Sequence, residues 1–207
     1  MYIPKHFRED DIQAMHNLMD AYSFAILVTQ QQDGTPFASH LPFMIDTTRG
    51  SYGTLTAHMA RANQQWQDFS DEREVLVIFQ GPHAYVSPSW YDAVLSVPTW
   101  NYAAVHAYGK PRIVEDRAAW YHLLKRLIEK HEAQFEQPWP FQLSDEYLQN
   151  MMRGTVAFEI EITRLEGKFK LSQNRPMGDR VHVAEMLEQQ GDESSVGIAE
   201  LMKARQS

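Results

Sequence analysis

The stretch VLVIFQGPHAYVSPSWYDAVLSVPTWNYAAVHAYG, residues 75–109, carries a single charged side chain, Asp92. A charged fraction of 22% for the whole chain would place about eight there. Pro, Ser, Thr and Asn interrupt the stretch too often for a membrane span. It reads as strands covered on both faces. Two coverings fit: core on one side with a partner or ligand on the other, or the filled interior of a barrel. Within it, Gly81 to Tyr91 reads as a bulged or edge strand because of its Pro and Ser residues.

Upstream, Asp10 or Asp11 can cap a short helix bearing Ile12, Met15 and Met19. Tyr22 to Gln30, the Asp33-Gly34 dipeptide and Thr35 to Ile45 read as a hairpin. Thr47 to Gly50 turns the chain into a strand over Ser51 to His58, and Ala60 to Phe69 reads as a helix entered directly from it. Downstream, Asp116 caps an amphipathic helix whose Trp120, Leu123, Leu124, Leu127 and Ile128 share one face. Ser144 to Met152 reads as a second helix, and Thr155 to Ile162 as a strand with Glu159 and Glu161 outward. Glu166-Gly167 reads as a turn into Lys168 to Leu171, and the tail after residue 177 as helical. About seven strands at short spacing, with helices inserted rather than alternating, predict an antiparallel β-barrel with helical decorations.

The chain has 207 residues and a formal net charge of −8. Such an acidic balance disfavours a large nucleic-acid footprint, which needs clustered cations to neutralise phosphates. Zero cysteines exclude thiolate metal sites and cysteine nucleophiles, and fit a reducing, cytoplasmic setting. The longest apolar runs, Phe24 to Val28 and Val75 to Phe79, are five residues, so no membrane helix is expected. Common catalytic signatures, among them GxSxG, GxGxxG after a strand and HExxH, are absent. The histidines show no zincin spacing and read as structural or ligand-contacting groups rather than metal ligands.

Four clusters stand out. HMARANQQW, His58 to Trp66, lies at a strand-to-helix junction, where the N–H groups of a helix N-terminus suit a phosphate and Arg61 and Asn63 add hydrogen bonds to it; an ordinary helix start with Arg61 paired to a carboxylate is the plain alternative. GPHAYVSPSWY, Gly81 to Tyr91, offers aromatics that are core or ligand platform. VPTWNY, Val97 to Tyr102, sets Trp100 and Tyr102 beside the amide of Asn101, a combination suited to a planar heteroaromatic ring. GKFKLSQNR, Gly167 to Arg175, belongs to a locally basic segment with Ser172, Gln173 and Asn174 as donors; it is a solvated face or a flavin contact.

These four clusters, in this order, resemble the PaiB family of FMN-binding negative transcriptional regulators. The resemblance runs from MYIPKHF to about residue 180. It implies the FMN-binding split β-barrel of the pyridoxamine-phosphate-oxidase-like group, with residues 1–180 as one domain and 181–207 as a helical tail packed on it. It further implies FMN as cofactor and a homodimer with the flavin at the subunit interface. On this resemblance Arg61 and Asn63 hold the phosphate, Ser39, His40 and Leu41 lie along the isoalloxazine or ribityl chain, and His58 stands beside them. Trp100, Asn101, Lys170, Ser172 and Gln173 close the site from the partner subunit. Gln64 stands where the family pattern has Pro, which loosens the turn after Asn63.

The resemblance implies a regulator that acts indirectly, since direct DNA binding is disfavoured by the charge and by the lack of a helix-turn-helix signal. An FMN-dependent oxidoreductase acting on a small substrate is the alternative, because fold alone does not set function.

Overall fold

The computed structural model describes residues 1–70, 72–92 and 95–205, so Ala93 and Val94 of the uncharged stretch lie outside the described residues. In chain order the elements are β1 (Arg8–Glu9), α1 (Ile12–Ala21), β2 (Phe24–Gln30), β3 (Pro36–Pro42), β4 (Met44–Asp46), β5 (Thr54–Ala60), β6 (Val75–Val86), β7 (Thr99–Ile113), α2 (Arg117–Glu132), α3 (Asp145–Gly154), β8 (Thr155–Lys170), α4 (Met177–Gln190) and α5 (Glu193–Lys203). The strands are hydrogen-bonded in the order β3-β2-β6-β7-β8-β5-β4, with β1 pairing separately to β8. Every pair whose register is defined is antiparallel. The expected class, antiparallel β with helical decorations on the split-barrel plan, is the observed one.

Two compact units divide the chain. One holds residues 1–19, 80–106 and those from 166 on; the other holds Asp20–Phe79 and Ala107–Leu165. β6, β7 and β8 each pass from one into the other.

In the second unit the β2–β3 hairpin turns at Gly34, whose φ of +89° is left-handed. Asp33 Oδ1 accepts from the Thr35 amide at 2.9 Å across that turn. Phe43, Phe79 and Phe158 meet edge to face in the core, with centroids 6.0 and 6.1 Å apart. A second hydrophobic cluster forms where Trp120, Leu123 and Leu124 of α2 and Leu148 of α3 cover Ala157 of β8. Asp116 caps α2 by accepting from the Ala119 amide, as the sequence predicts, and Ser144, expected as the first helical residue, caps α3 by accepting from the Tyr147 amide.

In the first unit Asp11 is the cap of α1, its Oδ1 accepting from the Gln13 amide at 2.9 Å. Beyond residue 78, β6 has no register partner in β2, whose pairing covers only Ile26 to Val28 against Ile78 to Leu76. Ser194, in the first turn of α5, takes over there: its Oγ accepts from the His83 amide and donates to the His83 carbonyl, each at 2.8 Å. This far half of β6 is therefore an edge on the side that Ser194 covers. An ion pair joins the buried Glu9 of β1 to the half-buried Arg205 just beyond α5, and that guanidinium also lies 4.7 Å over the Phe169 ring.

Three sequence expectations need correction. Among the described residues there are eight strands rather than about seven: Arg8–Glu9 adds a short one, Phe43 splits the second arm of the hairpin into β3 and β4, and the two strands expected over 155–162 and 168–171 are one. No α-helix spans 60–69; β5 runs to Ala60 and only a 3₁₀ turn over Gln64–Asp68 follows, so the expected helix N-terminus does not stand beside Arg61 and Asn63. Glu166-Gly167 is no turn but lies inside the 16-residue β8. Gly167 is there for close approach, since a Cβ would stand 2.7 Å from Met15 Sδ and 2.8 Å from Glu9 Cβ.

Gly109 is tighter still: a Cβ would fall 2.2 Å from the Glu161 carbonyl oxygen, which cannot move without breaking the strand. Gly109→Ala should lower stability by at least ~1–3 kcal/mol, as overpacking does. At Gly178 in α4 a Cβ would have nothing within 4 Å, so Gly178→Ala should be neutral or stabilising by up to ~1 kcal/mol. Urea unfolding of the two variants checks the pair; equal midpoints would remove the steric account.

Candidate functional site

The expected site residues fall into two groups, one in each unit. In the second unit, β3 carries Ser39, His40 and Leu41. Strand alternation puts Ser39 and Leu41 on the less exposed face and His40 on the other, where its ring stacks on Phe24 at 6.2 Å. His40 therefore does not share a surface with its two neighbours.

The chain leaves β5 at Ala60 and forms a turn carrying Arg61 and Asn63. Asn63 Nδ2 donates to Ser39 Oγ at 2.8 Å, and Asn63 Oδ1 accepts from the Gln65 amide at 3.1 Å. Asn63 is thus the cap of the 3₁₀ turn and the link to β3 at once. Arg61 donates from Nε to the Arg153 carbonyl and from an Nη to the Thr155 carbonyl, each at 2.9 Å. Its amide donates to the Gly154 carbonyl at 2.8 Å, and its guanidinium lies 5.7 Å over the Trp66 ring. Among the described residues no carboxylate reaches it, so the ion pair considered from the sequence is not formed.

Gln65 holds this turn in place and escaped the sequence reading. It is 1% exposed, and its Nε2 donates to the carbonyls of Leu27 (3.0 Å) and Phe37 (3.2 Å) and to Thr29 Oγ1 (3.3 Å). Its amide therefore ties the 61–68 segment to both strands of the hairpin. The only trace in the sequence is a Gln-Gln pair before Trp66, which no periodicity distinguishes from a surface pair.

His58 pairs across the sheet with Ala157, so the two side chains lie on the face covered by α2 and α3. Its Nδ1 is buried without a hydrogen-bond partner, and burial pushes its pKa below the ordinary histidine value. The imidazole is neutral at pH 7.

In the first unit, alternation along β7 separates the VPTWNY side chains. Trp100 is 54% exposed, whereas Asn101 is fully buried on the opposite face. The stacking surface and the amide thus do not converge, because residues i and i+1 of a strand point apart. Asn101 Nδ2 donates to Ser172 Oγ at 3.0 Å, and Ser172 adopts a left-handed φ of 63°. Gln173 folds back on β8, donating to the Phe169 carbonyl (2.5 Å) and accepting from the Leu171 amide (2.7 Å). Asn101, Ser172 and Gln173 together shape the end of β8. Trp100 remains open, with His83 at 6.2 Å and Tyr85 edge-on at 5.9 Å. Lys170 Nζ donates to the Trp100 carbonyl at 2.5 Å and to Thr99 Oγ1, and its pKa is lowered by burial and then by the charges of Lys168 and Arg175.

A family model described as "Putative FMN-binding domain" matches residues 1–164. The chain is 40% identical over 206 residues to the protease synthase and sporulation protein PAI 2 of Bacillus subtilis, covering 98% of this chain and 97% of that one. It belongs to this PaiB family of FMN-binding proteins. Among solved structures, the FAD and heme binding protein of Mycobacterium smegmatis superposes with a TM-score of 0.60 at 13% identity, over 84% of this chain and 78% of that one. The flavocytochrome Anf3 of Azotobacter vinelandii gives 0.57 at 12% identity, over 79% and 69%. At these identities the structural likeness defines the fold alone.

The depressed His58 pKa has a signed consequence. The unfolded chain binds its proton near the ordinary value of 6.5, and the folded chain only at lower pH. The stability contributed by this difference is complete above that value and is lost as pH falls through the folded pKa. His106, also lowered first by burial, acts in the same direction. Between pH 7 and 5, His58→Gln should lose less stability than the unmodified chain in urea titrations. Parallel losses in the two proteins would remove His58 from the acid response.

Proposed function

We propose that this FMN-binding protein is a negative regulator of transcription that acts through its flavin or a partner protein, without gripping DNA itself. The observation that carries the flavin site is Arg61, a guanidinium without a carboxylate, set beside the Asn63–Ser39 pair. Such a turn accommodates a phosphate dianion with charge-assisted hydrogen bonds. Ser39 and Leu41 then follow the ribityl chain or ring, with His40 and His58 at the margins of the site. Bound FMN supplies hydride and electron transfer.

Trp100 and Lys170 face the flavin from the partner subunit of a homodimer, while Asn101, Ser172 and Gln173 shape the strand end that presents them. Exposed apolar groups in the first unit support this assembly: Tyr85, Leu95, Val97 and Trp100 are between 48% and 93% exposed.

The indirect mode of regulation is supported by charge. α4 and α5 are joined through Gly191 and Asp192 alone. This pair carries Asp179, Glu185, Glu188, Asp192, Glu193 and Glu200 against Arg180 and Lys203, the wrong sign for a phosphate backbone. Among the described residues no helix is long and apolar enough to cross a membrane. The name of the Bacillus subtilis relative, which refers to protease synthase and sporulation, supports a regulatory role. The alternative, an FMN-dependent oxidoreductase, draws on His58, a neutral imidazole suited to proton transfer.

Titration with FMN, followed by flavin fluorescence, should saturate at about one flavin per chain. Arg61→Ala should weaken binding by about 1.5–3 kcal/mol, the range for a hydrogen bond to a charged group. Unchanged affinity would take Arg61 out of the phosphate site. Light scattering on the same samples should give the dimer mass, and a monomer would overturn the shared site. A DNA mobility shift that weakens steeply with salt would overturn the indirect mode, whereas NAD(P)H oxidation by the FMN-loaded chain would favour the enzyme.

A further inference from the structure

Around the C-terminal end of β8 the first unit gathers Lys168, Lys170 and Arg175, and no carboxylate among the described residues is in ion-pair reach of any of them. Neighbouring acids are already engaged: Glu166 with the Met1 amine at 2.5 Å, and Asp179 with the Asp92 amide at 3.0 Å. Lys168 is the telling member. It is only 8% exposed, yet its Nζ has just the Tyr2 carbonyl at 3.1 Å and the rings of Tyr2 and Tyr102 at 5.5 and 5.1 Å. Alternation places Lys170 on the same strand face, directed by the Trp100 carbonyl and Thr99 Oγ1. Arg175 lies 4.3 Å over the Tyr91 ring and reaches Ser96 Oγ at 3.5 Å.

Like charges held together in a partly dry place repel one another and lose hydration. Carbonyl dipoles and ring faces offset only part of that. An oxyanion would complete the arrangement. The low pKa of Lys170 is consistent with the same crowding.

We infer that Lys168, Lys170 and Arg175 form a second anion site, which takes the phosphate or carboxylate of a small molecule other than the FMN phosphate. This rests on the assignment of the FMN phosphate to Arg61 and Asn63. It gives the flavin site a second ligand of defined class, an anionic one, with the exposed Trp100 ring next to the charges.

The test is calorimetric titration of the FMN-saturated full chain with inorganic phosphate, and separately with acetate. Saturable binding of either is expected, and the stronger of the two identifies the oxyanion. Lys168→Met and Arg175→Ala should each weaken it at least tenfold while leaving FMN affinity within about threefold, with folding checked by circular dichroism. Should Lys168→Met fail to fold, Arg175→Ala decides alone. Arg61→Ala should do the reverse, weakening FMN and sparing the anion. No saturable binding, or equal binding in the variants, overturns the site. Loss of FMN itself in Lys168→Met and Arg175→Ala would mean that these cations hold the flavin phosphate, overturning both readings. If the chain takes up no FMN, the same titration of the flavin-free protein still decides on the anion site.

Discussion

The candidate phosphate turn depends on one buried amide. Gln65 Nε2 lies among three acceptors from the two strands of the β2–β3 hairpin. Losing that amide removes three hydrogen bonds at once, each worth about 0.5–1.5 kcal/mol net. Everything the turn presents hangs from this attachment: the Asn63 cap, the Asn63–Ser39 bond and the direction in which Arg61 leaves β5. The departure at Gln64, where the family pattern has Pro, is tolerable for the same reason. A tertiary anchor one residue later holds the backbone that a proline ring would have pre-set.

How much of this was legible in the sequence depends on the range of the interaction concerned. Local signals carried through: Asp116 caps the helix it precedes, Asp33-Gly34 turns the hairpin, and the stripe of Trp120, Leu123 and Leu124 packs on the sheet. Long-range signals did not. Gly167 looks like a turn residue next to Glu166, because nothing local reveals that Met15 and Glu9 press against it. The 60–69 segment has helical composition, but its chain is bound to the hairpin and to the α3–β8 junction before a full helical turn can form. Within VPTWNY the aromatic and amide groups were read as one surface. The two-residue period of β7 divides them, and the amide serves Ser172 instead.

Charge is distributed unevenly in this acidic chain. Arg61 in one unit and the lysines of β8 in the other are held by carbonyls and aromatic rings rather than by carboxylates. An arginine or lysine neutralised by its own protein offers little to an anion. One satisfied only by dipoles keeps most of its field while its geometry is fixed. The sequence identified the basic segment, but the state of its charges is a property of packing, visible only when the partners of each nitrogen are known.

The Ser194–His83 contact has a consequence for synthesis. The half of β6 past residue 78 is a free strand edge until α5 supplies its hydroxyl. An uncovered edge is a template for pairing with another chain. Because residue 194 lies more than a hundred positions after the strand it covers, a nascent chain must carry that open edge through most of its translation. The interval before closure is the stage at which a second nascent chain, or a chaperone, competes for the strand.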